Sequence, residues 1–250
     1  MEVLKLLKVK KSFGGVRALD NISIALSEGE VVMVIGPNGA GKTTLINVIS
    51  GYLYPDEGRI MYMGEDITRY PPLERVGKGI VRSFQLVNTF DKLTVYENIL
   101  VSVLSRKKYQ YAFRKILDEY TDALEETENI LKLFGLSDEA DENIMSISYG
   151  DRKLVDVAIS FALNPKLIML DEPTSGVATK DKDNIMEKIL DVIRKTKVTS
   201  IIIEHDMDIV FRYGVRIIVM HQGRIIADGE VEEIRKNEEI KKVLLGGVYA

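Results

Sequence analysis

The segment at residues 36–44, GPNGAGKTT, constrains the fold of this chain more than any other feature. It matches the pattern G-x-x-x-x-G-K-[ST] and follows an apolar, β-branched run at residues 30–35. The next stretch, TTLINVIS, is typical of a helix that ends at Gly51. A strand, a glycine-rich turn and a helix in this order gather backbone amides around a phosphate group. The residues predicted to line this loop are Gly36, Pro37, Asn38, Gly39, Ala40, Gly41, Lys42, Thr43 and Thr44.

Two side chains of this loop carry specific chemistry. Lys42 is placed to reach the β- and γ-phosphates of a nucleoside triphosphate, and the hydroxyl of Thr43 is placed to bind Mg²⁺. The loop by itself indicates a P-loop nucleoside triphosphatase, which is a very large class.

A second motif, LIMLDE at residues 167–172, places two acids after four apolar residues. The apolar residues predict a buried strand, and ligands of open α/β sheets bind at the carboxyl ends of strands. There Asp171 would hold Mg²⁺ through its hydration shell, and Glu172 would take a proton from the attacking water. The alternative is that the two acids only cap the following helix.

The rest of the chain predicts how these motifs are arranged. Residues 3–27 predict antiparallel strands, and strands alternate with helices again after residue 167, which indicates a mostly parallel sheet. Residues 92–145 contain little glycine and show helical spacing of apolar residues. We predict one α/β domain over residues 1–250, a P-loop (RecA-like) core with an N-terminal antiparallel β subdomain and an inserted α-helical subdomain. The predicted limits are 1–85 and 162–250 for the core with its β subdomain and 86–161 for the helical subdomain.

Composition excludes several classes of protein. The 250 residues contain 34 basic and 38 acidic side chains, so there is no general basic footprint for nucleic acid. Since the chain has no cysteine, disulfides and cysteine-ligated zinc are excluded. Its apolar runs fall short of the roughly 18 residues that a membrane-spanning helix needs. We therefore expect a cytoplasmic chain that would act at a membrane only by docking on a spanning protein.

Further motifs follow in a characteristic order. RSFQ lies at residues 82–85, SYGDR at residues 148–152, PTSGVA at residues 173–178, and IIIEHD ends at Asp206. With the two phosphate-site motifs, this series resembles the nucleotide-binding subunits of ABC transporters. The resemblance runs from Phe13 to the segment GRIIADG at residues 223–229, which is essentially the whole chain.

The resemblance implies roles for further residues. Gln85 would contact Mg²⁺ and the attacking water and sense the membrane partner. Phe13 would stack on adenine, and His205 would donate a hydrogen bond to the γ-phosphate. The alternatives are that Phe13 packs in the core or in a hairpin, and that His205 is a structural histidine. The implied catalytic set is Glu172, His205, Gln85 and Lys42, and the implied Mg²⁺ set is Thr43, Gln85 and Asp171.

The SYGDR segment resembles the family signature LSGGQ. Its serine also predicts a helix N-cap, and a helix N-terminus with a free hydroxyl and amide is a good anion site. In the family such a site completes the ATP pocket of the opposite subunit, which implies a dimer that encloses two ATP molecules. The residues that would make this contact are Ser148, Tyr149 and Gly150.

This sequence departs from the family pattern at three positions. Tyr149 stands at one of the two signature glycines, and Asp151 stands at the signature glutamine, where it adds negative charge beside an anion site. Ala178 stands at the D-loop aspartate, which puts in doubt any communication that depends on that carboxylate.

Within the family, the motifs look most like the ATPases of branched-chain amino acid importers. That resemblance implies a polytopic permease, a homodimer or a heterodimer with a paralogous ATPase, and indirectly a substrate-binding protein, at the inner face of the cell membrane. Import of urea, amides or other amino acids, and lipid export, remain alternatives for the substrate. A soluble ABC ATPase and a non-hydrolysing nucleotide-binding module remain alternatives for the class.

Overall fold

The computed structural model describes residues 1–83, 89–108 and 120–245. The chain divides into two compact units. The first unit comprises Met1–Arg82, Lys166–Glu172 and Lys197–Ala250, and the second comprises Ser83–Pro165 and Pro173–Thr196. The limits 86–161 for a helical subdomain stay a prediction, and residues 173–196 group with the second unit.

An antiparallel sheet in the first unit begins with the predicted hairpin. Along its second strand, buried Leu19, Ile22, Ile24 and Leu26 alternate with more exposed residues, so one face packs on the core. Among the described residues the strand order is β2-β1-β4-β5. The strands are β1 (Glu2–Phe13), β2 (Val16–Ser27), β4 (Glu57–Tyr62) and β5 (Glu65–Asp66).

A mostly parallel sheet forms the centre of the same unit. Its inner strands β7 and β8 are mainly apolar and are buried along their whole length, as expected for a parallel sheet covered on both faces. The strand order in the described chain is β10-β9-β3-β8-β7-β6, with β10 antiparallel to β9 and the other pairings parallel. The strands are β3 (Val31–Ile35), β6 (Ile80–Arg82), β7 (Leu167–Asp171), β8 (Thr199–Ile203), β9 (Arg216–His221) and β10 (Arg224–Glu230).

The parallel strands β3, β6, β7, β8 and β9 all end at one edge of this sheet, which we call the carboxyl edge. The residues that follow these strand ends include Gly36, Glu172 and Glu204. Both acids of the LIMLDE motif are therefore at the same edge as the glycine-rich loop. The prediction of an α/β fold with a mostly parallel sheet is confirmed.

A fully buried arginine fixes the helix that follows the loop. Arg75 donates hydrogen bonds to the carbonyl oxygens of Val48 and Ile49 at 2.8 and 2.7 Å, at the carbonyl end of α1. Burial lowers the pKa of Arg75 to about 10. Since this pKa stays above neutral pH, Arg75 remains a cation. Its charge and donors satisfy carbonyls that have no partner within the helix. The helices of this unit are α1 (Lys42–Ser50), α2 (Pro72–Gly77), α7 (Met207–Tyr213), α8 (Val231–Lys236) and α9 (Glu238–Leu245).

The second unit is helical in its described residues. Thr94 and Glu97 form a reciprocal capping box at the start of its first helix, and Ser148 caps its third helix by accepting from the amide of Asp151. The helix N-cap predicted at Ser148 is confirmed, and the helical spacing predicted in residues 92–145 includes a helix with Gly135 as its C-cap. The helices are α3 (Val95–Arg106), α4 (Thr121–Phe134), α5 (Tyr149–Ala162) and α6 (Thr179–Thr196). Across the described ranges of both units, no helix combines the length and apolar character that crossing a membrane requires.

Candidate active site

The loop between β3 and α1 is shaped by close backbone contacts. A Cβ added to Gly36 would stand 2.1 Å from the carbonyl oxygen of Met220, and a Cβ added to Gly41 would stand 2.3 Å from that of Ala18. Both distances are far below van der Waals contact, so glycine is required at both positions. At the tip of the loop Asn38 and Gly39 are exposed to solvent.

The lysine of the loop is buried against the loop itself. Lys42 is 6% exposed, and its Nζ donates to the carbonyl oxygens of Gly36 and Pro37 at 2.6 and 3.0 Å. Burial lowers the pKa of the Lys42 amine, and the charges of Glu172 and Asp171 offset part of that shift. The structure thus brings this cation and both predicted carboxylates together at the carboxyl edge.

The first turn of α1 presents its amides without a side-chain cap. Gly41 is its N-cap residue and supplies no side-chain oxygen to the first-turn amides. Thr43 in that turn is exposed, Thr44 is half-buried and Ala40 is buried. The helix N-terminus therefore offers unpaired donors and the positive end of a helix dipole to an anion.

Two carboxylates follow one another at the end of β7. Asp171 is 4% exposed, and its Oδ2 accepts a hydrogen bond of 2.8 Å from Nη2 of Arg82. Glu172 has a φ of 52°, an unusual left-handed conformation for a residue with a Cβ, and its amide donates to the carbonyl of Ile203. Successive carboxylates thereby have different surroundings, one buried and ion-paired and one turned out of the strand.

The partner of Glu172 is the predicted histidine. Nε2 of His205 lies 2.8 Å from Oε1 of Glu172, and the two side chains are 38% and 19% exposed. His205 follows β8, the neighbour of β7 in the sheet, which explains the close approach. A carboxylate–imidazole pair of this kind can accept, hold or pass on a proton.

The hairpin that carries Phe13 touches the loop. Ala18, which lies against Gly41, belongs to β2, and Phe13 pairs with Val16 at the end of the same hairpin. The ring is 48% exposed, with Nζ of Lys11 at 5.7 Å from its centroid. Phe13 is thus an exposed ring at the end of a hairpin that touches the loop, rather than a core residue.

The predicted signature residues belong to the second unit. Ser148 is exposed, and its hydroxyl accepts from the amide of Asp151 at 3.1 Å and donates to Oδ2 of Asp151 at 2.6 Å. Tyr149 and Gly150 open α5 directly after this cap. The remaining predicted site residue, Gln85, lies outside the described residues.

A family model described as ABC transporter matches residues 19–175. The chain belongs to the ABC transporter family. Among its relatives is the probable branched-chain amino acid transport ATP-binding protein LivG of Methanocaldococcus jannaschii. The two are 39% identical over 247 residues, which cover 98% of this chain and 94% of the relative.

Solved structures of ABC cassettes share the fold. The ADP conformation of MJ1267, described as an ATP-binding cassette of an ABC transporter, superposes with a TM-score of 0.86 at 35% identity and covers 98% of this chain and 99% of its own. The cassette MJ0796, described as a dimer in a post-hydrolysis state bound to ADP and Pi, gives a TM-score of 0.74 at 25% identity over 91% of this chain and 98% of its own. The predictions of an ABC ATPase and of its fold class are confirmed.

Sequence reasoning missed parts of this ABC cassette that the structure brings to the loop. Arg82 was noted only as the first letter of RSFQ, and Asn47 of α1 was not noted at all. A cleft of about 470 Å³ borders the loop at residues 37–40, and its lining also includes His221, Lys242 and Val243. The signal that could have identified Arg82 is the pair of apolar residues before it, because they place the arginine at the end of a buried strand.

Proposed function

We propose that this ABC ATPase hydrolyses MgATP as a dimer docked on a membrane permease and drives the import of branched-chain amino acids. The observation that carries the proposal is the pair formed by Glu172 and His205, 2.8 Å apart at the carboxyl edge that also holds Lys42. A base, a hydrogen-bond donor and a cation at one strand edge are the parts that transfer of a phosphoryl group to water requires.

Binding of the triphosphate begins at the loop. Phosphate oxygens would replace the carbonyls of Gly36 and Pro37 as partners of Lys42, and would accept from the amides of the first turn of α1. Bonds between an ammonium and a phosphate are charge-assisted and stronger than bonds to neutral carbonyls. Phe13, which is exposed on the hairpin that touches the loop, would stack on the adenine ring.

The residues present fit a magnesium ion that is shared with the nucleotide. Within the described ranges no cluster of three or more acidic or histidine side chains could hold a metal without a ligand. Mg²⁺ suits such a site, because it is bound through one or two protein oxygens together with phosphates and water. Thr43 and Asp171 would supply the protein side, with Gln85 as a further proposed ligand. When bound, the ion would neutralise charge on the phosphates.

The chemistry of hydrolysis falls to Glu172 and His205. The oxygen of a water molecule forms a bond to the γ-phosphorus while a proton of that water passes to the Glu172 carboxylate. The bond between the γ-phosphorus and the bridging oxygen breaks, and its electron pair leaves with ADP. His205 holds the carboxylate before ATP arrives and then donates to the γ-phosphate.

A second subunit would complete the site. Ser148, Tyr149 and Gly150 lie at the start of α5, where the helix dipole favours an anion. We propose that they contact the γ-phosphate of the ATP bound to the opposite subunit. The dimeric description of the MJ0796 cassette supports this arrangement. Because ATP would bind the closed dimer more tightly than the open one, closure could do work on the permease.

The proposed cargo is supported by the name of the M. jannaschii relative, a branched-chain amino acid transport protein that is aligned over almost the whole chain. The cargo would not touch this subunit, and would reach the permease by way of a substrate-binding protein outside the membrane. The ATPase would then lie on the cytoplasmic face, paired with itself or with a paralogue.

The ATPase mechanism is tested with Glu172→Gln. We expect ATP affinity within about threefold of wild type, turnover lower by about 10²- to 10⁴-fold, and a dimer that persists with MgATP. The matched control is Glu65→Gln, which removes a carboxylate from β5 in the other sheet and should leave all three unchanged. Turnover at the wild-type rate in the Glu172 variant would rule this residue out as the base.

The transport role is tested in the native cells. Cells in which Glu172→Gln replaces the wild-type residue should lose uptake of labelled leucine, isoleucine and valine and retain uptake of urea. Loss of urea uptake with normal leucine uptake would move the proposal to amide import. A mild-detergent pull-down of the trapped dimer from the same cells should recover a permease. Ribosomes or DNA-repair proteins in place of a permease would favour a soluble ABC ATPase.

A further inference from the structure

Arg82 joins the carboxylate of Asp171 to α1, the helix that follows the phosphate-binding loop. At the end of β6 its guanidinium donates through Nη2 to Oδ2 of Asp171 at 2.8 Å and through Nη1 to Oδ1 of Asn47. The side chains of Arg82 and Asp171 are 9% and 5% exposed. All three residues lie in the first unit.

A buried ion pair at this place needs an explanation other than stability. Removing two charges from water costs several kcal/mol per ion, and apolar replacements of buried pairs are often neutral or stabilising. A planar guanidinium held at two points does, however, define direction, because its donors form a rigid fork. The pair therefore fixes where the carboxylate of Asp171 points.

The second contact of this fork links it to the metal side of the loop. Asn47 lies four residues after Thr43 in α1, so the two side chains share a helix face. Arg82 thus relates the end of β7, which carries Asp171, to the helix face that carries Thr43. Those are the two residues proposed to hold Mg²⁺ together with the nucleotide.

Arg82 uses one oxygen of the Asp171 carboxylate. A carboxylate has about four lone-pair positions on two oxygens, so Oδ1 can still accept from a water of the metal. Groups that orient a metal-side carboxylate in this way change metal affinity about 10- to 100-fold when they are removed.

We propose that Arg82 is a positioning residue of the magnesium site, which braces Asp171 against Asn47 so that the carboxylate faces the metal beside Thr43. This inference rests on the proposed Mg²⁺ site. The charge of Arg82 acts in the opposite direction, since a cation near the site disfavours Mg²⁺. Orientation and charge therefore predict changes of opposite sign when Arg82 is replaced.

The test compares Arg82→Lys, which keeps the charge and loses the fork, with Arg82→Gln, which loses both. Affinity for a fluorescent ATP analogue is measured in EDTA and across a Mg²⁺ titration, with thermal unfolding as the check on folding. We expect the Mg²⁺ concentration for half-saturation to rise by roughly tenfold or more in both variants. Their affinity for the ATP analogue in EDTA should stay within about twofold of wild type. Asn47→Ala, which removes the other anchor, should shift the Mg²⁺ titration in the same direction.

The matched control is Arg75→Lys, since Arg75 is a buried arginine of the same unit that donates to backbone carbonyls. It should lower the unfolding temperature and leave the ratio of the two affinities unchanged. Equal losses with and without Mg²⁺ in the Arg82 variants would reduce Arg82 to a structural role and overturn the inference. If Arg82→Gln bound Mg²⁺ more tightly and Arg82→Lys behaved like wild type, Arg82 would act only as a counter-ion of Asp171. That result would also overturn the inference. If the affinity of the wild-type protein for the ATP analogue did not depend on Mg²⁺, the proposed magnesium site itself would be overturned.

Discussion

The ring of Tyr149 lies against Gly176, so that a Cβ added to the glycine would stand 2.9 Å from Cε1 of the tyrosine. Both residues belong to the second unit, and Arg152 lies 5.4 Å from the centroid of the same ring. Tyr149 stands where the family signature has a glycine, and Gly176 opens the GVA segment at the D-loop position. The large side chain at this departure therefore rests on a small residue of the segment at the D-loop position.

This contact predicts the effect of enlarging Gly176. Gly176→Ala should lower the free energy of unfolding by about 1–3 kcal/mol, because the methyl group meets the ring and the φ of 78° strains a residue with a Cβ. In a Tyr149→Ala background the same change should cost less, since only the backbone strain remains. Denaturant unfolding of the two single variants and the double variant gives the coupling. Strict additivity would mean that ring and glycine do not interact.

Asp151 competes for the hydroxyl that the opposite subunit would need. Because Ser148 donates to Oδ2 of Asp151, Asp151→Gln should free that proton and remove a negative charge beside the proposed phosphate contact. In the Glu172→Gln background, the ATP concentration for half-maximal dimerisation, measured by light scattering, should fall by about fivefold. The free energy of unfolding of Asp151→Gln should be lower by about 0.5 kcal/mol, because the first turn of α5 loses an acid.

The control for this prediction is Asp122→Asn, which removes a first-turn acid from α4 in the same unit. It should leave dimerisation unchanged. Ser148→Ala should weaken both the helix and the dimer, since it removes the cap and the hydroxyl together. An Asp151→Gln variant that dimerises less readily than its parent would contradict the competition described here.

Lys42 illustrates a charge that is kept for its ligand. Its amine is buried and its pKa is lowered by that burial, so without nucleotide it adds little to stability. Lys42→Met should bind ATP more weakly by about 2 kcal/mol or more, in titration calorimetry. Its free energy of unfolding without nucleotide should stay within about 1 kcal/mol of wild type. Lys78→Met, which removes a half-buried lysine bonded to Glu65, is the control and should bind ATP normally.

The backbone of Glu172 is strained for its side chain. With φ at 52°, Glu172→Gly should be more stable than Glu172→Gln by roughly 1 kcal/mol, although both lose the proposed base. Lys197→Gly is the matched control, because Lys197 has a φ of 55° on the loop before β8, away from the proposed chemistry. It should gain similar stability and keep normal turnover. Equal stability of the Gly and Gln variants of Glu172 would show that this strain is relieved in solution.

The sequence predicted those elements whose pattern is set by local physics. The β1–β2 hairpin, the apolar strands of the central sheet, α1, α4, α5 and α6 follow from apolar periodicity, glycine stops and a serine cap. The short strands β5 and β6 and the short helix α2 were not predicted, because two to six residues carry no detectable period. Charged α9, which brings Lys242 to the loop, was likewise not predicted.

Of the proposed site, the residues with a proposed chemical role could be read from the sequence, and the residues proposed to position them could not. Glu172 and His205 are far apart in the sequence and meet because β7 and β8 are neighbours, which motif order implied only through the family resemblance. Arg75 and Arg82 follow the opposite rule. An arginine in a sequence predicts a solvent-facing side chain, and only the folded chain supplies the carbonyls and the carboxylate that bury it.

The fit of Gly36 and Gly41 against the carbonyls of Met220 and Ala18 also bears on how this loop is inherited. Those contacts are made by the protein's own backbone and would persist in a descendant that had abandoned ATP. A pseudoenzyme of this lineage would therefore keep its glycines, since losing them would cost the fold. Substitutions would appear first at Lys42 and Glu172. The buried charge of Lys42 and the strained backbone of Glu172 would destabilise a chain that no longer bound nucleotide.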